Sequence, residues 1–79
     1  MRQVTLTAAV WREEDLFVSL CPELGVASCG DDAQHAVTML REAIELYIDN
    51  AVELGLLPEL LPALDSTERF SVPILVAIP

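Results

Sequence analysis

The sequence predicts an α+β fold in the order β-β-β-α-β: an antiparallel three-stranded meander, one long helix packed on it, and a C-terminal strand. Three observations lead there. Apolar residues recur at every second position from Val4 to Val10 and again from Leu16 to Leu20, and turn-forming residues punctuate the run that continues to Cys29. From Ala33 the apolar positions change to a helical period, through Ala36, Val37, Leu40, Ala43, Ile44, Tyr47, Ile48 and Ala51. From Phe70 the alternation returns with Val72, Ile74, Val76 and Ile78.

Each element has its own justification. Val4, Leu6, Ala8 and Val10 predict a first strand with one buried face, and the polar run Arg12-Glu13-Glu14-Asp15 a hairpin loop. Leu16, Val18 and Leu20 resume the alternation in a second strand, which Pro22 and Gly25 end. Residues 26–29 make the third. Gly30-Asp31-Asp32 signals a helix start, because either aspartate can accept a hydrogen bond from the first-turn amides. Gly55 suits the helix end, so the helix spans about 23 residues, or ~35 Å, enough to cross the sheet. Residues 56–64 are rich in leucine but interrupted by Pro58 and Pro62, which excludes a regular long helix and leaves one short turn starting near Pro58. Leu57, Leu60, Leu61 and Leu64 need cover, either as a lid on the chain's own core or as a contact in a homo-oligomer. Pro73 lacks an N–H, which places the last strand at a sheet edge or a bulge. Residues 1–79 read as a single domain.

Composition narrows the function. A 79-residue domain buries only ~60–65% of its unfolded surface, yet 53% of these residues are hydrophobic. Such a surplus points to burial against another subunit or a partner. Thirteen acidic residues face four basic ones, for a net charge of −9. Arg2, Arg12, Arg41 and Arg69 are scattered and make no basic patch, so direct nucleic-acid binding is not expected. An acidic surface suits a basic protein partner; it also keeps a leucine-rich chain in solution. The sequence opens on alternating residues without an apolar leader, and no run approaches the ~20 apolar residues that a membrane span needs. A cytoplasmic protein with reduced thiols is the expectation.

Few residues carry candidate chemistry. Cys21, Cys29 and His35 have neither the number nor the spacing of a zinc site, so no metal and no cofactor are expected. His35 falls in the first helical turn, where solvent or a capping contact is its expected surrounding. Glu13, Glu14 and Asp15, with Glu23 in the next turn, form an acidic cluster that suits a partner-binding site. Trp11 beside it is either an exposed aromatic anchor or packed on the reverse of the hairpin. Glu42, Glu45, Asp49 and Glu53 recur at helical steps as an acidic stripe, either a solvated face or a second landing surface.

Glu14-Asp15, Phe17-Val18, Pro22-Glu23-Leu24-Gly25, Gly30-Asp31, Ala36 and Leu40-x-Glu42-Ala43-Ile44-x-x-Tyr47 stand in a recognisable order. Over residues 3–55 the chain resembles the HicB-like antitoxin family. The resemblance implies a truncated ribonuclease H-like version of the fold. It also implies a small basic ribonuclease toxin of the HicA type as partner, its active site covered by this chain. Many members add a C-terminal DNA-binding module that represses their own operon. The sequence to Pro79 leaves no room for one, and autorepression is not expected. Gly25-Val26 departs from the family's Pro-Gly-Cys form and the cysteine lies at Cys29, so no role is expected for the thiol. Ribonuclease H chemistry needs carboxylates on strands to hold magnesium. The expected strand centres (Thr5, Leu6, Thr7, Val18, Ser19, Val72, Ile74) hold none, so the activity does not follow from the fold. The expectation is therefore an antitoxin-like binding module and not an enzyme; the alternative is a self-associating structural or sensory domain without a toxin.

Overall fold

The computed structural model describes residues 3–79. Its sheet is the expected antiparallel meander of three strands in the order β1-β2-β3: β1 (Ala9–Glu13), β2 (Leu16–Cys21) and β3 (Val26–Gly30). Helix α1 (Ala33–Glu53) packs on one face of the sheet, and a shorter helix α2 (Leu57–Asp65) follows. Mixed α+β architecture is thus observed.

The first strand is displaced from its expected place. It begins at Ala9 and runs to Glu13, so only Glu14 and Asp15 form the loop, while Arg12 and Glu13 pair with Phe17 and Leu16. A two-residue connection is the commonest hairpin loop, and it leaves those polar residues in the ladder. Glu14 takes the left-handed conformation (φ 52°) that such a loop requires. The ladder stops short of Thr7, whose amide donates to the Glu23 carboxylate at 3.0 Å.

The faces of β2 are inverted relative to its alternation of large apolar residues, whereas Val10 of β1 faces the helix as expected. Ser19 and Cys21 are buried toward α1; the Ser19 hydroxyl donates to the Ala36 carbonyl at 2.9 Å. The register puts Val10, Arg12, Phe17, Val26, Ser28 and Gly30 on that same face. Leu16, Val18 and Leu20 therefore point to the opposite face, with Ala9, Trp11, Ala27 and Cys29. At Gly30 the helix comes too close for any side chain: a Cβ there would stand 2.5 Å from the Ala36 nitrogen. Ser19, Ser28 and Gly30 are the small residues of that face, which they share with Val10, Phe17 and Val26.

Both ends of α1 follow the sequence. Asp32 caps it, accepting from the His35 amide at 2.7 Å, and the Asp31 amide donates to His35 Nδ1 at 3.0 Å. At the other end Gly55 (φ 73°) donates to the Val52 carbonyl and Leu56 to that of Ala51, the paired bonds of a Schellman stop. Helix α2 is longer than one turn. Pro58 sits in its first turn, where a missing N–H costs nothing, and Pro62 is tolerated inside. Leu64 of α2 joins Leu40, Ala36, Ala51 and Cys21 in a small core.

The expected C-terminal strand is not formed. Residues 66–79 have no regular structure, and Phe70, Val72, Ile74, Leu75, Val76 and Ile78 are all exposed. Alternation alone supplies no ladder partner, and no described strand pairs with this segment. Among the described residues no helix is long and apolar enough to cross a membrane.

Candidate protein-binding face

In a meander, the first hairpin loop and the end of the third strand lie at the same end of the sheet. Here Glu13 pairs with Leu16, and Gly30 pairs with Phe17, so Asp31 follows in the row of Leu16. Five carboxylates are gathered at that end: Glu13, Glu14 and Asp15 of the hairpin, and Asp31 and Asp32 of the helix start, all exposed. Trp11 lies beside them on the open face, opposite Val18, with its indole N–H donating to Glu13 Oε1 at 3.0 Å. It is 39% exposed, between the anchor and the packed residue that its position allowed. A shallow cleft of about 470 Å³ is lined by Glu13, Glu14, Leu16 and Val18. The result is an acidic rim bordering an apolar surface.

Glu23 does not join this group. It lies in the turn at the other end of β2, some ~20 Å of strand away. Its carboxylate is turned inward and fully engaged. Thr7 donates to it through its amide at 3.0 Å and its hydroxyl at 2.6 Å, and Arg69 Nη1 lies 3.1 Å away. Burial would push this carboxyl up, but the hydroxyl and amide of Thr7 outweigh that effect and hold it near 2. Arg69 also donates to the carbonyls of Thr5 (2.6 Å) and Leu64 (3.4 Å). Glu23 and Arg69 thus tie the N-terminal segment, the β2–β3 turn and the end of α2 together. This is a structural clamp. No local pattern marks it, because Thr7, Glu23 and Arg69 are far apart in the chain.

The other candidates divide. Glu42, Glu45, Asp49 and Glu53 are exposed along α1. Leu64 is core, whereas Leu57, Leu60 and Leu61 are half-buried, so α2 serves as a partial lid. Cys21 is buried, and its thiol is pushed up first by burial and further by the neighbouring Glu23 carboxylate. Cys29 is exposed on the open face. His35 has the capping contact. No three His, Cys, Asp or Glu side chains among the described residues converge as metal ligands.

Asp31 and Asp32 are the members of the acidic end that sequence reasoning missed. The signal was available: three meander strands place the first loop and the third strand's exit side by side. Of the thirteen acidic residues, only Glu23 is not exposed. No family model, curated protein or solved structure matches the chain.

Proposed function

We propose that this chain is a non-catalytic protein-binding module of the antitoxin type, whose acidic end and adjoining apolar face mask a small basic ribonuclease of the HicA type. The observation that carries this reading is the gathering of Glu13, Glu14, Asp15, Asp31 and Asp32 around an exposed tryptophan. Charges of one sign steer an oppositely charged partner, and an aromatic residue at the border supplies contact area once it arrives. The resemblance of residues 3–55 to HicB-like antitoxins supports the same reading. The surface is also well suited chemically: among the described residues, the partners of these carboxylates are few, namely the Trp11 indole for Glu13, the His35 amide for Asp32 and the His35 ring, 3.9 Å away, for Asp31.

The test is inhibition of a HicA-type ribonuclease by the full chain. Cleavage should fall to background at saturating protein, and affinity should drop steeply as salt is raised. The triple variant Glu13→Lys, Glu14→Lys, Asp15→Lys should lose inhibition by at least ~10-fold, about 1.4 kcal/mol. Undiminished cleavage at saturating wild-type protein would reject the reading, as would full inhibition by the triple variant.

A further inference from the structure

We propose that this chain forms a twofold dimer in which residues 70–78 of each copy add as a strand to the outer edge of β1 of the other. The inference does not rest on the ribonuclease reading.

The first ground is surface. A folded monomer of 8.6 kDa exposes about 4,700 Å². This chain exposes 6358 Å². The excess is of the size that stable subunit interfaces remove, at roughly 800 Å² or more from each partner. The radius of gyration agrees: 14.4 Å, against about 12 Å for a compact chain of this length.

The second ground is where the excess lies. Phe70, Val72, Ile74, Leu75, Val76 and Ile78 range from 68% exposed to fully exposed. Residues 70–79 make no hydrogen bond within the described chain. An apolar segment with unpaired backbone groups is a strand without a sheet.

The third ground is charge. Every copy carries a net charge of −9, so two copies repel wherever their carboxylates meet. Residues 70–79 hold no charged side chain. The first three residues of β1, Ala9, Val10 and Trp11, hold none either. An uncharged segment meeting an uncharged edge is the contact that two acidic copies can make, and a basic partner would gain nothing from it.

Geometry selects β1 over the other edge. Helix α1 packs chiefly on β3, and β3 runs directly into Asp31 and Asp32. Arg69 fastens the base of the segment to Thr5, just before β1. Donor and acceptor therefore lie at one end of the molecule, which lets a reciprocal exchange close around a twofold axis. Pro73 fits an outermost strand, where a missing N–H can face solvent.

Sedimentation equilibrium of the full chain tests the proposal. The expected mass is twice 8.6 kDa at micromolar concentration. The variant Ile74→Asp, Val76→Asp should sediment as a monomer with unchanged helical circular dichroism. A mixture of isotope-labelled and unlabelled copies should give filtered NOEs between 70–78 and Ala9–Glu13. A wild-type monomer overturns the proposal, and so does a variant that remains dimeric. Loss of helical signal in the variant overturns it too, since the segment would then belong to its own core. NOEs only between two copies of 70–78, or only within one copy, reject β1 of the partner as the acceptor. The variant Glu14→Lys, Asp15→Lys, confined to the hairpin loop outside β1, should leave the mass unchanged, which separates this outcome from failure of the ribonuclease reading.

Discussion

Glu23 shows how one residue can invert a reading based on type and position. A carboxylate in an exposed-looking turn, near other acidic residues in sequence, is instead the hub of a clamp with Thr7 and Arg69. Its carboxyl is held near 2 in the folded protein, below its ordinary value of 4.5. A depressed folded value contributes stability that is fully present above the unfolded value and is lost as pH falls toward the folded one. The contribution is on the order of 3 kcal/mol. Thermal melts should show Glu23→Gln much less stable than wild type above pH ~5, with the gap closing toward pH ~2. A gap that stays constant over that range would show that the clamp does not depend on the charge. The cysteines offer a second test at this scale. Cys21 is buried and its thiol is pushed up, whereas Cys29 is open to solvent. Thiolates are the reactive form, so native protein should alkylate once, at Cys29, and take a second label only on unfolding. Mass spectrometry of the labelled protein reads this directly, and equal labelling rates would contradict the burial of Cys21.

At the scale of elements, α1 packs chiefly on β3, and its start stands close over that strand's last residue. Gly30 is there because of what stands opposite it: a methyl group would meet backbone atoms of His35 and Ala36 at 2.5 to 2.9 Å. Backbone cannot swing aside as a side chain can. Gly30→Ala should therefore cost about 1–3 kcal/mol, measured as a lowered midpoint in urea. An unchanged midpoint would mean that α1 can slide away from the sheet at no cost. The same proximity explains the buried Ser19. Its hydroxyl satisfies the Ala36 carbonyl, and the small side chain lets the helix approach. The end of α1 depends on a different property of glycine, since Gly55 adopts a positive φ that lets Leu56 and Gly55 satisfy the last carbonyls.

Over the whole molecule, a small core is joined to a large charged and apolar exterior. Twelve of the thirteen carboxylates are exposed, and their mutual repulsion opposes compactness. Added salt screens such repulsion over distances beyond the Debye length, about 8–10 Å near physiological strength. The melting temperature should therefore rise with sodium chloride, and a fall would show that exposed ion pairs outweigh repulsion. The same screening should weaken binding to a basic partner. Stability and partner affinity should thus respond to salt in opposite directions.

Local information was enough for three consecutive strands, the long helix and its two ends, although it set the first strand over residues 4–10 where the ladder holds Ala9–Glu13. Alternation, the change of period at Ala33, Asp32 and Gly55 each act within a few residues of chain. Choosing the buried face of β2 needed more. Leu16, Val18 and Leu20 are the more apolar set, yet Phe17, Ser19 and Cys21 face the helix, where the Ser19 hydroxyl meets the Ala36 carbonyl and Gly30 admits no side chain. The acidic end required knowing which loops share one end of the sheet. The Thr7–Glu23–Arg69 clamp needed residues 16 and 46 positions apart brought into contact. The segment 70–78 is the converse case: its sequence has the period of a strand, but a strand exists only where a neighbour accepts its hydrogen bonds. Periodicity and capping are properties of a short stretch of chain, so the sequence alone determined them. Which face is buried, which charges meet and which segment finds a ladder depend on groups far apart in the chain, and only the tertiary structure decided those.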